Sequence, residues 1–388
     1  MIRGWVRDGK NMVCAETDSE DRRGYCNMNK YVKRVLKILG ITVGSIIAIV
    51  LIFVLVLTIA EYRPDDVERL ELTGSSDQGL AKGQTFTILS WNMGYGGLGE
   101  TSDFFMDGGK GVRTQNEDQV RANVQAVIDM VEEVKPDVVF LQEIDRNSTR
   151  SWHMDQVEMV GNALSNYQGA FAANFKVLFM PFPIPPYGHI DSGIMTLSRY
   201  EATSAERIKL PCPFSWPMRL LQLKRCLLVE RIPIEDSDKE LVLINLHLEA
   251  YDDGEGKLEQ ARMLEEMMQA ERDKGNYVIA GGDFNQTFSS VDTSMYPIQN
   301  HGDDVWMCGE MDTGIFNSSW QFCMDTTWPT CRSLDRPYDR NDEKFQFFMI
   351  DGFIVSDNLM VESMETINED FVHSDHNPVR ITLTIPEL

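Results

Sequence analysis

The chain has 388 residues, is 43% hydrophobic and 25% charged, and carries a formal net charge of −24. That composition supplies a sizeable core and excludes a fibrous or wholly disordered chain. Residues 61–388 hold 27 Lys+Arg against 55 Asp+Glu, a net of −28, which disfavours a protein that grips polymeric nucleic acid through many phosphate contacts.

Residues 1–27 are polar, include Cys14 and Cys26, and show no apolar period. They read as a disordered tail or a mis-called start, because Met28 would open a typical anchor sequence. From Ile38 to Ala60 there is no charged residue. As a helix this run is roughly 34 Å long, enough to cross a bilayer core of about 30 Å, and it has no polar face to suit a soluble core. Lys30, Lys33, Arg34 and Lys37 precede it, while Glu61, Asp65, Asp66, Glu68 and Glu71 follow. The positive-inside rule then places the N-terminus in the cytoplasm and residues 61–388 outside, as a single-pass protein of the plasma membrane. A cleaved signal peptide is the second reading, with Thr58 and Ala60 as small residues, but the run is long for such a segment. The expected organisation is a cytoplasmic tail over 1–37, a transmembrane helix over 38–60, a linker over 61–84 and a catalytic domain over 85–388.

Within that domain strands and helices alternate. Thr85–Ser90 reads as a strand running into Trp91-Asn92. Asn116 caps a predicted helix over Glu117–Val134, with Val120, Val124, Val127, Ile128 and Val131 on one stripe and Pro136 as the stop. Val138–Leu141 is a short strand leading to Gln142-Glu143. The stretch Val177–Tyr187 reads as an apolar, Pro-rich loop. Leu241–Leu246 leads to His247. Leu258–Asp273 is a second helix, followed by a strand over Tyr277–Ala280 and then Gly281-Gly282-Asp283-Phe284-Asn285. Phe347–Ile350 is expected to be a strand ending in Asp351, and Arg380–Thr384 closes the domain just after Ser374-Asp375-His376. Cys212, Cys226, Cys308, Cys323 and Cys331 are an odd number, so at least one thiol stays free, and one disulfide among the last three is possible.

An apolar strand repeatedly ends where an Asn, Glu, His or Asp begins, and strand tips gathered on one sheet edge make a rigid site. Each such residue alone is an ordinary turn former or cap; their joint occurrence points to chemistry. Glu143, Asp283, Asp351 and Asp375, with Asn92 and Asn285, are hard oxygen donors, which suit Mg²⁺ and also Mn²⁺ or Ca²⁺. His247 and His376 can transfer protons or steady a phosphoryl oxygen.

The series Leu89-Ser-Trp-Asn92, Leu141-Gln-Glu143, Asn245-Leu-His247, Gly282-Asp-Phe-Asn285, Ile350-Asp351 and Ser374-Asp-His376 resembles the endonuclease/exonuclease/phosphatase superfamily, which includes DNase I-like nucleases, neutral sphingomyelinases and inositol polyphosphate 5-phosphatases. The resemblance spans residues 85–385. It implies a four-layer α/β sandwich with two central mixed sheets. It further implies Glu143 as principal metal ligand with Asn92 and Asp375 nearby, and Asp283 and Asn285 on the water or the scissile phosphate. Asp351 would orient His376, and His376 and His247 would touch the phosphate or the leaving oxygen. Arg146 and Arg150 are candidate phosphate contacts, with Lys224 and Arg225 as further bases.

Three functions compete. A lipid phosphodiesterase fits the anchor and the acidic domain, a nuclease fits the motifs but not the charge, and a non-catalytic binding domain would show degraded site residues, which this sequence does not. The substrate is therefore expected to be a phosphate ester, a lipid head group or a nucleic acid, and no protein partner is inferred. Asn147-Ser-Thr, Asn285-Gln-Thr and Asn317-Ser-Ser match the glycosylation pattern, and a glycan on Asn285 would block the site, which favours a bacterial chain.

Overall fold

The computed structural model describes residues 4–8, 11–15, 19–252, 254–299 and 305–387, with side chains from Lys30 onward. The chain divides into two compact units, Met1–Ala60 and Glu61–Leu388. In the first, Gly4–Asp8 pairs antiparallel with Asn11–Ala15, and a long helix α1 follows over Ser19–Ile59. Residues 1–27 are thus not the featureless tail expected where they are described, over 4–8, 11–15 and 19–27; the rest of that stretch lies outside the described residues. Lys30–Ile59 is long and apolar enough to cross a membrane. Its side chains Ile46, Ile49 and Leu51 are exposed, an arrangement suited to lipid rather than water.

In the second unit thirteen strands build two mixed sheets. In chain order they are β1 (Val67–Leu70), β2 (Thr85–Asn92), β3 (Val138–Asp145), β4 (Gln168–Met180), β5 (Gly188–Ser198), β6 (Ser204–Lys209), β7 (Cys226–Pro233), β8 (Glu240–His247), β9 (Tyr277–Asp283), β10 (Trp320–Cys323), β11 (Asp351–Ser356), β12 (Met360–Thr366) and β13 (Val379–Thr384). The six-stranded sheet runs β12-β13-β2-β3-β5-β4 and the seven-stranded sheet β10-β11-β9-β8-β7-β6-β1. Each contains one parallel pair, β2 with β3 and β8 with β9. Helix α2 (Glu117–Val134) joins the first pair and α4 (Glu255–Asp273) the second, while α3 (Gln156–Ala163) packs beside α2. Parallel neighbours need such a crossover. The helix over Glu117–Val134 matches its predicted bounds, and Asn116 caps it by accepting from Gln119 N–H at 2.8 Å.

Period-2 alternation assigns the layers. Phe86, Ile88, Val138, Phe140, Leu241, Leu243, Ile279, Phe353 and Val355 meet between the sheets. Leu89, Trp91, Val139 and Leu141 point the other way, onto Val120, Val124 and Val127 of α2. Val242, Ile244 and Leu246 likewise pack on Leu264 and Met268 of α4. Four layers result, as expected.

Two expectations need correction. Residues 61–84 are part of the folded unit rather than a linker: Val67–Leu70 is an edge strand on β6, Thr73 bridges to Gly169, and Leu80 is fully buried between the sheets. Their polar composition reflects an edge position, where half of each strand faces water. The second concerns Val177–Tyr187: its first half is the end of β4, and only the Pro-rich half is loop. The five cysteines with described side chains are all free thiols, so no disulfide forms among Cys308, Cys323 and Cys331.

One buried group conflicts with this core. Glu230 lies on β7 opposite Leu243, so it faces the inter-sheet space, and neither carboxylate oxygen has a hydrogen-bond partner among the described residues. Burial pushes its carboxyl up to about 8. A folded-state value above the unfolded one means that the folded protein holds the proton more tightly. Stability is thus fully present below about pH 4.5 and falls as pH rises toward about 8, by up to about 1.4 kcal/mol per pH unit. Glu230→Gln is expected to remove this slope. Urea midpoints at pH 6 and pH 8.5 test it: wild type loses more than the variant on going to pH 8.5, and an equal loss in both proteins rules the explanation out.

Candidate active site

The same alternation that builds the core delivers the polar groups. Continuing inner-face positions past Ile88 leads to Ser90 and Asn92, past Phe140 to Gln142, and past Leu243 to Asn245 and His247. Past Ile279 it leads to Gly281 and Asp283. The parallel pairs put Asn92 beside Gln142 and His247 beside Asp283 at one end of the sandwich. Gln142 closes the inter-sheet floor, donating to Asn245 Oδ1 at 2.8 Å and to Ser90 Oγ at 3.2 Å.

Asp351 arrives differently from its expected placement. It opens β11 rather than ending a strand, because the preceding Phe347–Phe348 forms a separate two-residue pairing with Cys331–Arg332. Since β11 runs antiparallel to β9, Asp351 at its start lies directly opposite Asp283 at the end of β9. The loop with Ser374, Asp375 and His376 is tied to β2, where Ser374 Oγ donates to Asn92 O at 2.7 Å and Trp91 Nε1 donates to His376 O at 2.8 Å. This is why Ser-Trp-Asn and Ser-Asp-His belong to one site.

Asp283 is the hub. Its Oδ2 accepts from Asn92 Nδ2 at 2.9 Å and lies 3.4 Å from His247 Nε2 and 3.8 Å from His376 Nε2, and its Oδ1 accepts from Asn285 N–H at 2.8 Å. Asn285, at φ 53°, also donates through Nδ2 to Leu248 O at 2.9 Å. Gly282, at φ +138°, sits so near β8 that a Cβ would fall 2.1 Å from Leu246 O; only glycine lets the two strands close here. Burial, with the neighbouring Asp351 charge, pushes Asp283 up to about 7.

The histidines are set apart by their surroundings. Burial disfavours charge on His376, but its Nδ1 donates to Asp351 Oδ2 at 2.8 Å, and the nearby acidic groups hold the imidazole well above its ordinary range. His247 is pulled well below that range by burial and then by Arg225 and His376; its Nδ1 has no partner among the described residues. The surroundings thus favour the charged form of His376 and the neutral form of His247 beside the same carboxylate.

Glu143 stands on a β-bulge between Leu141 and Ile144, at φ 52°, which turns it out of the strand's alternation. Burial raises its carboxyl, against the pull of Arg150 Nη1 at 3.8 Å. Asp375 is raised likewise by burial. Gly94, at φ +49°, leaves it room, since a Cβ there would lie 2.8 Å from Asp375 Oδ1. Among the described residues the ligand atoms of Asp283, Asp351 and His376 lie within 4.8 Å of one another, as do those of Cys331, Asp375 and His376.

A model of the endonuclease/exonuclease/phosphatase family matches residues 89–376. The chain belongs to the endonuclease/exonuclease/phosphatase family. It is therefore a hydrolase of the phosphoric ester type, in a family that generally depends on divalent metal. An endonuclease/exonuclease/phosphatase from Beutenbergia cavernae DSM 12333 has a similar structure, with 16% identity over 78% of this chain and 72% of that one, at a TM-score of 0.55. The family protein from Bacteroides vulgatus gives 14% over 78% and 99%, at 0.49. The human nocturnin catalytic domain with bound sulfate gives 14% over 81% and 96%, at 0.48. At such identities the likeness concerns the fold. No curated protein matches the sequence.

In this endonuclease/exonuclease/phosphatase member the two candidate phosphate arginines part company. Arg150 lines the cavity at the site but is held by Asp145 at 2.9 and 3.1 Å, by Tyr187 Oη at 2.8 Å and by Ser192 Oγ at 3.1 Å, with Tyr95 stacked 3.9 Å away. It positions Glu143 by charge rather than offering a free fork. Arg146 is not among the lining residues; it pairs with Asp191 over the Phe171 ring. Sequence reasoning missed Tyr95, Asp107, Tyr251, Cys331 and Arg332, all of which line the cavity. They sit in single 3-10 turns (Tyr95, Asp107), a two-residue strand (Cys331, Arg332) and a loop (Tyr251), all too short to show a period. Arg332 donates to the carbonyls of Leu98, Gly99 and Ser102 and so fixes the loop after β2, and Tyr251 donates to Asp107 at 3.1 Å.

Proposed function

We propose that this family member is a phosphodiesterase, dependent on Mg²⁺ or a similar hard divalent ion, that acts outside the cytoplasm at the membrane surface. The observation that carries the reading is the carboxylate hub of Asp283, gripped by Asn92 and Asn285 and flanked by His247 and His376. The donor set fits a hard ion. Asp375 is a buried carboxylate and Glu143 a partly buried one, burial disfavours charge on both, and oxygen is the donor that Mg²⁺, Mn²⁺ and Ca²⁺ prefer. Glu143 and Asp375 would hold it with Asn92 beside them, although Asn92 Oδ1 here accepts from Gly94 N–H at 3.1 Å. When bound, such an ion supplies charge neutralisation at a non-bridging phosphate oxygen.

The residues divide the remaining work. Asp283 Oδ2 takes a proton from the attacking water as the new bond to phosphorus forms. His376, protonated and braced by Asp351, steadies the phosphoryl oxygens and gives its Nε2 proton to the alcohol oxygen as the bond between that oxygen and phosphorus breaks. Asp283 Oδ2 is 3.8 Å from that Nε2, so the captured proton can return and restore both groups. The products are an alcohol and a phosphate monoester.

The location is supported by the flanks of the apolar run: bases before it, acids after it, and no charge within. Two measurements test the proposal. With Mg²⁺, the full chain in detergent is expected to turn over bis-p-nitrophenyl phosphate at least tenfold faster than p-nitrophenyl phosphate; the reverse preference would make it a monoesterase. A C-terminal tag is expected to be digested by protease added to intact spheroplasts, and a protected tag would place the catalytic unit inside.

A further inference from the structure

The cavity of about 260 Å³ at the site has two chemically different kinds of lining. One is the set of carboxylates and histidines described above. The other is hydrocarbon, brought in by three separate segments: Phe104 and Phe105 after β2, Met180 and Phe182 at the end of β4, and Met218 and Leu221 between β6 and β7; Phe104, Phe105, Met180 and Leu221 belong to one apolar cluster. It continues to the outside, since Phe182 is 49% exposed, Met218 53% and the neighbouring Ile184 92%. A polyhydroxy alcohol against such a wall would lose hydration without gaining partners, whereas each methylene of an alkyl chain gains from leaving water.

The segment carrying Met218 and Leu221 has a second property. Arg219 Nε is 3.1 Å and Lys224 Nζ 3.4 Å from Glu61 Oε1. Glu61 is the first residue of the folded unit and follows the last residue of α1 by two positions. A wall segment is thus ion-paired to the first residue of the folded unit.

We propose that the substrate is a membrane lipid phosphodiester, with its phosphate at the carboxylates and histidines and its hydrocarbon against this wall, and that Phe182, Ile184 and Met218 enter the lipid interface. This rests on the phosphodiesterase reading of the same site and adds the class of alcohol. The reaction remains hydrolysis: water adds to phosphorus, the bond to one alcohol oxygen breaks, and that oxygen leaves as a hydroxyl.

The test is a series of p-nitrophenyl alkyl phosphates, from methyl through butyl to octyl, with thymidine 5′-p-nitrophenyl phosphate alongside, using the full chain in detergent with Mg²⁺. The value of kcat/KM is expected to rise by up to about fourfold per methylene that reaches the wall, so that octyl exceeds methyl at least tenfold and exceeds the thymidine ester. Partition of the octyl ester into detergent is common to all variants. A fall in the octyl-to-methyl ratio in Met218→Gln and Phe182→Gln, both at half-exposed positions, therefore reports the wall itself. Methyl and octyl esters cleaved equally well, a ratio unchanged in both variants, or a preference for the thymidine ester would overturn the lipid assignment while leaving the phosphodiesterase reading intact. No cleavage of any ester would overturn both.

Discussion

Replacing His376 by alanine is expected to lower kcat/KM for a phosphodiester by about 10³–10⁴-fold, toward the upper end of what a positioned acid or base contributes. The fold should survive, because the loop is held through main-chain and neighbouring contacts: Trp91 Nε1 on His376 O, and Ser374 Oγ on Asn92 O. Asp351→Asn separates the two parts of the effect. It keeps the shape next to His376 Nδ1 but takes away the carboxylate that most strongly opposes burial, so the imidazole reverts toward neutrality. A loss of about 10²–10³-fold is expected. Unchanged circular dichroism with these losses supports the roles given. Full activity in His376→Ala would remove the histidine from the chemistry.

The second large effect belongs to Glu143. Its glutamine variant retains volume and the bulged backbone at φ 52°, while losing the negative charge nearest the expected cation. The Mg²⁺ concentration for half-maximal activity is expected to rise by more than the 10–100-fold that follows loss of an outer-shell partner alone. Saturating Mg²⁺ should recover part of kcat. A metal requirement equal to that of wild type would mean that Glu143 is not a ligand. Arg150 would then be the group to explain, since its buried guanidinium is already balanced by Asp145 and would leave Glu143 as surplus charge.

How much of this was legible in the sequence depends on which signal each residue carries. Asn92, His247 and Asp283 follow apolar strands whose alternation is plain, so both their existence and their shared edge could be read from the pattern. The helices over Glu117–Val134 and Glu255–Asp273 were legible from their stripes, the second starting three residues earlier than expected because Gly254 and Asp252 form its N-terminal turn. Strands β4 to β7 were not. Gly169, Ala170, Ala172 and Ala173 are small, and Glu230 interrupts an apolar face, so no alternation stands out. Asp351 shows another limit: composition reveals an apolar run before it but not that the pairing strand comes after, and only the antiparallel register with β9 sets it opposite Asp283. The bulge that turns Glu143 into the site is invisible for the same reason, being a property of the pairing between β3 and β5. The polar stretch from Tyr62 to Lys82 resembles a linker because an edge strand buries little.

The central claim is metal-assisted phosphodiester hydrolysis at the Asp283 hub, and stripping the full-length protein with chelator and titrating Mg²⁺ back during turnover of bis-p-nitrophenyl phosphate tests it most directly. Turnover that vanishes on stripping, returns with Mg²⁺, and stays absent in Asp283→Asn is the predicted result. Turnover that persists in stripped protein, or that Asp283→Asn supports as well as wild type, would contradict the account.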